Sequence, residues 1–454
     1  MEFSTDGWLE EFLLSSKPEQ TVCNHFLKAI HNQRPCRPER LSGRALRVLL
    51  LGYCGAGNTG ADVRSSEIIR QLRSVLNSVD IAFTLTVIGE YLPHRLFPDI
   101  NVLRFQTYPP ADLVQEVLRH DLILVCEGSV FTSTFSNIFA AILVGSLGLA
   151  SIHHRASVGY GSEADRMDPV LADFVKQACP NSLVICRNEA SRKIVDAFGI
   201  RTALGADTAY TFQPRPPVDI IELLHDMGWN GKAELVAVCP VNPFWWPVRP
   251  NLQKAHALQK HGKFGESHYG SIFFHSDSPD AAQFFGAYLK HISYALRHYC
   301  SQYDAFPIAI GMERLDQSAC ARLAAHLAKD MPIVTPNNHD PDTIVALLRR
   351  CDTVISSRYH AIVCALPAQV RCIGISTDSR IKHLMESMGT PELLLDAADS
   401  ELGDRLLNTM RNLRQDHEQF LQAAGLMVAT QLQRAQQMGD RLLEEIRRVF
   451  PDYP

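Results

Sequence analysis

From Ala45 onward the chain alternates short apolar runs with longer stretches whose apolar residues recur at helical spacing. In the first half the runs at 46–51, 83–88, 122–125 and 183–185 read as buried strands, and 65–75, 135–149 and 190–198 as helices between them. Strands that are apolar on both faces and separated by helices predict a parallel sheet with helices on each side. The pattern breaks at 211–218, where QPRPP is stiff, extended and unable to continue a helix. Runs resume at 235–239, 305–310, 333–334, 353–356 and 370–375, which predicts a second sheet of the same kind. Ahead of both sheets, 1–44 carries a helical pattern on Trp8, Phe12 and Leu13 followed by an Arg- and Pro-bearing connector. Behind them, 401–449 is helical and charged, and reads as a helix pair that packs across the domains or makes a contact between two copies of the chain.

The expected organisation is therefore an N-terminal arm (1–44), a Rossmann-like domain (45–215), a second Rossmann-like domain (216–400) and C-terminal helices (401–454). The fold class is α/β, with two Rossmann-like parallel-sheet domains facing a cleft at the carboxyl ends of their strands. The stretch 241–271, with Pro243, Trp245, Trp246, Pro247 and Pro250, interrupts the rhythm as a long loop of the kind that usually serves function or is disordered.

Composition narrows the function. With 454 residues, 46% hydrophobic, 20% charged and a formal net charge of -5, the chain has neither a basic nucleic-acid surface nor an acidic tail, so local arginines must meet any acidic ligand. Its twelve cysteines are scattered without metal-knuckle spacing, as expected of buried thiols in a reducing cytoplasm. No signal-peptide pattern opens the chain, and the apolar run 138–152 is too short to span a bilayer, leaving peripheral membrane contact as the form of membrane association still open.

Candidate chemistry clusters where strands end. VISSRYHAI (354–362) runs from a strand into a helix start and delivers Arg358 and His360; in an extended turn residues two apart share a side, so the arginine can hold an acidic group while the histidine moves a proton. A helix-capping arginine and a packed histidine fit the same pattern. GYCGAGNTGADVR (52–64) sets Gly55 and Asn58 beside Asp62 and Arg64 at a helix start, where backbone can approach a ligand closely, but its glycine spacing is wrong for GxGxxG and it lacks a P-loop ending. VCEGS (125–129) places Glu127, Gly128 and Ser129 at the same rim, and a carboxylate directly after an apolar strand suits a base for a sugar hydroxyl. Arg187, in CRNEAS, sits at a strand end equivalent to that of Arg358; it either pairs with Glu189 or joins Arg358 in meeting a doubly charged substrate. His153 and His154 stand together, but nothing supplies a metal set around them.

Together GYCGAGNTGAD, CRNEAS and SSRYHAIVCALPAQVRCIGIS resemble three ordered motifs of the polysaccharide pyruvyl transferases, over roughly 47–389. Two departures stand out: Ala61 is inserted before Asp62, and CEGS replaces a glycine-rich run. The resemblance implies a GT-B-like fold and a cytoplasmic enzyme of polysaccharide or exopolysaccharide biosynthesis that moves a pyruvyl group from phosphoenolpyruvate to a sugar hydroxyl pair as a ketal, with no resident cofactor or metal. On that reading His360 is the general acid, Glu127 or Asp62 the base, and Arg187 and Arg358 bind the donor with help from Gly55, Asn58, Gly128 and Ser129. The rival readings are a GT-B glycosyltransferase using a nucleotide sugar, and a non-catalytic binding protein on the same fold.

Overall fold

The computed structural model describes residues 15, 17–32, 35, 43–89, 99–103, 110–261, 273–276, 278–327, 331–377 and 379–451. The helical pattern on Trp8, Phe12 and Leu13, most of the connector after it and the end of the 241–271 stretch lie outside these residues.

The first sheet has seven parallel strands: β1 (Leu46–Cys54), β2 (Phe83–Gly89), β3 (Asn101–Leu103), β4 (Leu122–Val125), β5 (Ala156–Ser162), β6 (Leu183–Cys186) and β7 (Arg201–Leu204), in the order β3-β2-β1-β4-β5-β6-β7. In the second domain β8 (Glu234–Cys239) begins a second sheet, and a short antiparallel pair, β9 (Arg249–Pro250) with β10 (Phe273–Phe274), projects from the loop that follows it. The second sheet continues with β11 (Ala305–Ile310), β12 (Ile333–Val334), β13 (Thr353–Ser356), β14 (Arg371–Ser376) and β15 (Leu394–Asp396), all parallel, in the order β12-β11-β8-β13-β14-β15. Both sheets reverse direction of growth once, between β1 and β4 and between β8 and β13, and such reversals open a crevice at the strands' carboxyl ends.

The apolar runs read from the sequence become strands because both faces of each sheet are covered. In β1, Leu46, Val48 and Leu50 enter one apolar layer and Leu49 and Leu51 the opposite one, the period of two that a strand imposes. Strands β3, β7 and β15 contain no continuous apolar run, since Asn101, Arg201, Thr202 and Asp396 fall within them, and β5 is interrupted by Gly159 and Gly161. The helix Asn137–Ile152 is buried along almost its whole length, a core helix as its composition predicts. No described helix is long and apolar enough to cross a membrane.

Two helices from the chain's ends complete the first domain. Pro18–Asn32 buries Val22, Cys23, Phe26 and Ile30 against Asn137–Ile152, with the Phe26 ring seated where a side chain at Gly145 would otherwise lie, so this helix is part of the domain's apolar layer. At the other end, Leu402–Gln415 packs on the second domain, whereas Glu418–Val449 crosses between domains. Its Phe420, Ala424 and Met427 belong to the second domain's core, and its Met438, Leu442 and Ile446 to the first domain's. At 1.5 Å per residue this helix is about 48 Å long, enough to brace both domains.

Candidate active site

The glycine-rich loop after β1 is shaped by the other domain. Asn58 caps the helix Thr59–Asn77 by accepting from Ala61 N at 3.1 Å, and Gly55 N donates to Asp62 Oδ1 at 2.7 Å. Thr59 N then donates to Met312 O at 2.7 Å and Arg314 N to Gly57 O at 3.1 Å, tying the loop to the segment after β11. Gly57 has φ +74, and a Cβ there would collide with the Arg314 side chain. These glycines thus allow close approach of two domains, and Gly55, Asn58 and Asp62 are occupied at that junction. Burial pushes the Asp62 carboxyl up to about 7, with Gly55 N–H and Arg314 opposing the rise and Glu313 adding to it.

Deeper in the junction is a compact ionic group. Arg64 and Asp207 are each 1% exposed and Arg187 3%. Arg187 Nη1 donates to Asp207 Oδ2 at 2.8 Å, a second ion pair joins Arg187 to Glu163, and its guanidinium lies 4.2 Å from the centre of the Tyr359 ring. Arg64 Nη2 donates to Gly161 O at 2.9 Å, while its Nε lies 3.5 Å from Asp207 Oδ1. Burial opposes the charge on Asp207, but Arg64, His360 and Arg187 outweigh it and hold this carboxyl well below its ordinary value. Gly128 arches directly over both guanidiniums, where any Cβ would strike Arg64, and Glu127 Oε1 accepts from Gly128 N at 2.8 Å and Ser129 N at 3.3 Å. The carboxylate, the two amides and the arginines therefore form one unit at the β1–β4 reversal.

His360 enters this group from the second domain. Its Nε2 lies 3.4 Å from Asp207 Oδ2, and its ring rests on Gly60, where a Cβ could not fit. Burial lowers its proton affinity, Asp207 opposes that fall, and Arg187 and Arg64 add to it. Arg358 turns elsewhere: its Nε donates to Asp316 Oδ2 at 2.9 Å and its Nη2 to Glu313 Oε2 at 2.8 Å. The two motif side chains consequently do not share a side as an extended turn would have placed them. Arg358 is the extended residue before the helix Tyr359–Ala365, and His360 is already inside it, so the helical rotation separates them. Burial pushes the Asp316 carboxyl up to about 6 against the pull of Arg358.

Arg358 also lines a cleft of about 1040 Å³ between the domains, together with Asp165 and Arg166 from one side and Trp246, Ser376 and Arg380 from the other. Among the charged residues proposed from sequence it is the one in this wall; Arg187, expected at the rim, is buried beneath it. The tryptophan pair divides: Trp246 faces the cleft, whereas Trp245 stacks on His275 at 3.9 Å. His153 ends the helix Asn137–Ile152, and no group of metal-binding side chains occurs among the described residues. Sequence reading missed Glu163, Asp207, Glu313 and Asp316. The first two follow β5 and β7 closely, the same signal that singled out Glu127, but neither strand is a continuous apolar run.

Two parallel-sheet domains that face each other across a cleft, each presenting its reversal point to the other, define a GT-B-like α/β fold. Solved structures agree in fold: a candidate UDP-N-acetylglucosamine 2-epimerase from Listeria monocytogenes (TM-score 0.55, 11% identity, covering 90% of this chain and 98% of that one), a second UDP-N-acetylglucosamine 2-epimerase (0.55, 7%, 90% and 96%) and S. aureus MnaA with UDP (0.50, 9%, 84% and 90%). No curated protein matches the chain significantly. The polysaccharide pyruvyl transferase family profile matches residues 94–379, well over half the chain. The chain belongs to that family and is a transferase; the match takes in Glu127, Arg187, Asp207, Arg358 and His360 and begins after the glycine-rich loop.

Proposed function

We propose that this enzyme transfers a pyruvyl group from phosphoenolpyruvate to a pair of hydroxyls on a sugar or glycan precursor, forming a cyclic ketal and releasing phosphate. The observation that carries the reading is the meeting of His360 with the Arg64–Arg187–Asp207 group where both sheets reverse, beside the cleft that Arg358 lines.

The chemistry maps onto these side chains. His360 gives a proton to the methylene carbon of the donor, the first hydroxyl oxygen attacks the adjacent carbon, and Glu127 takes that hydroxyl's proton. The second hydroxyl then displaces phosphate at the same carbon, its proton returning to His360 while the proton held by Glu127 leaves with the phosphate. Arg358 meets the donor's phosphate or carboxylate. Asp316 and Glu313 hold this guanidinium at present, and an arriving ligand oxyanion competes with them for it. Negative charge brought by the donor also raises the proton affinity of His360, so the acid is loaded when substrate is present. Glu127 is favoured over Asp62 as base because it stands beside Arg64, in the group that His360 enters, whereas Asp62 lies beside Glu313 and Arg314. Trp246 offers an aromatic face to the acceptor in the cleft.

Calorimetric titration of the purified chain with phosphoenolpyruvate, beside UDP- and GDP-sugars, tests this. Phosphoenolpyruvate should bind, and Arg358→Ala should weaken it at least tenfold, about 1.4 kcal/mol. Binding of a nucleotide sugar with silence from phosphoenolpyruvate would replace this reading with glycosyl transfer.

A further inference from the structure

We infer that Asp207 of the first domain is the positioning residue for His360 of the second, fixing the imidazole with Nε2–H directed at the carboxylate.

Asp207 stands at the centre of the junction. Its Oδ1 accepts from Ala209 N at 3.0 Å and faces Arg64 Nε, while its Oδ2 accepts from Arg187 Nη1 and lies 3.4 Å from His360 Nε2. The two arginines already give this carboxylate its countercharge, so bringing an imidazole from another domain to the same oxygen is not required for neutrality. The approach is nonetheless built in: the ring reaches Asp207 by lying across Gly60, where any side chain would block it, and Tyr359 on the adjacent position is held by the Arg187 guanidinium. At 3.4 Å the pair is longer than a formed hydrogen bond, as catalytic contacts commonly are before substrate closes the site.

The charged groups around His360 decide what this contact does. Arg64 from Thr59–Asn77 and Arg187 from the end of β6 both disfavour an imidazolium, as does burial; Asp207, from the segment after β7, favours it. Replacing Asp207 by a neutral amide removes the carboxylate that faces the imidazole and leaves both guanidiniums beside it, with Glu163 still paired to Arg187, and must lower the proton affinity of His360. An acid that works protonated then retreats to lower pH. The kinetic part of this inference rests on the pyruvyl-transfer reading; the orientation of the ring does not.

The test is NMR on the full-length chain labelled with ¹⁵N-histidine, His360 being assigned by the signal lost in His360→Gln. In the wild type the neutral ring should carry its proton on Nε2; the Nδ1–H tautomer overturns the inference, and this measurement needs no change at Asp207. In Asp207→Asn the His360 titration should move down by about one pH unit, a tenfold loss of proton affinity, and Asp207→Glu should restore part of it. The alkaline limb of kcat/KM should move down by the same amount, which a purely structural loss would not produce. An unmoved titration in a folded Asp207→Asn overturns the inference. If phosphoenolpyruvate fails to bind while tautomer and titration behave as stated, the pyruvyl-donor reading falls and the positioning role stands.

Discussion

Asp62 makes a stability prediction that can be worked from the structure. Its carboxyl accepts from Gly55 N and sits beside Glu313 and Arg314 at the domain junction, and burial pushes it up to about 7 from 3.8. The folded chain therefore keeps this proton over a range where the unfolded chain has lost it. The group's contribution is fully present below about pH 4 and is lost as pH rises through about 7. A rise of roughly three units at about 1.4 kcal/mol each sets an upper bound of roughly 4 kcal/mol, reduced by the water that still reaches this partly buried side chain. Asp62→Asn retains the acceptor for Gly55 N and cannot ionise. Relative to wild type the variant should gain stability steadily between about pH 4 and pH 8, by roughly 1–4 kcal/mol at the upper end. Urea unfolding followed by far-UV circular dichroism at several pH values reads this directly. Parallel pH profiles for the two proteins would refute the raised carboxyl and the buried junction behind it.

Three further outcomes follow from packing and charge. Gly60→Ala should displace His360 and lower kcat at least tenfold while the far-UV spectrum is unchanged, since the added methyl falls on the imidazole. Arg187→Met should cost about 3–5 kcal/mol in thermal or urea unfolding because it strands Glu163 and weakens the neutralisation of Asp207; a loss below 1 kcal/mol would show that these carboxylates are solvated. Phe26→Ala should destabilise the first domain by about 3–5 kcal/mol, whereas a freely appended arm would give no effect; hydrogen exchange in Asn137–Ile152 would localise the change.

Much of the architecture was legible from residue order. Runs such as 122–125, 305–310 and 353–356 are apolar on both faces, and their strands begin and end where those runs do. The signal was weakest where glycine or polar residues break the apolar run, as in β5 and β7, and Glu163 and Asp207 stand just beyond those strands. The VISSRYHAI segment shows the limit in miniature: its strand-to-helix step could be read, but one residue's difference in where the helix starts decides whether Arg358 and His360 converge or part.

What the sequence determined by itself was the alternation of strands and helices, the two-sheet plan and the residue types gathered at strand ends, because periodicity and turn chemistry act within a few residues. What only tertiary structure decided was which of those residues meet. His360 reaches Asp207 across some 150 positions of chain, the glycine loop serves a neighbouring domain, and Arg187 lies beneath the cleft and not in its wall. Those pairings depend on how two separately folded sheets dock, and on which buried charges must find partners when water leaves the junction between them.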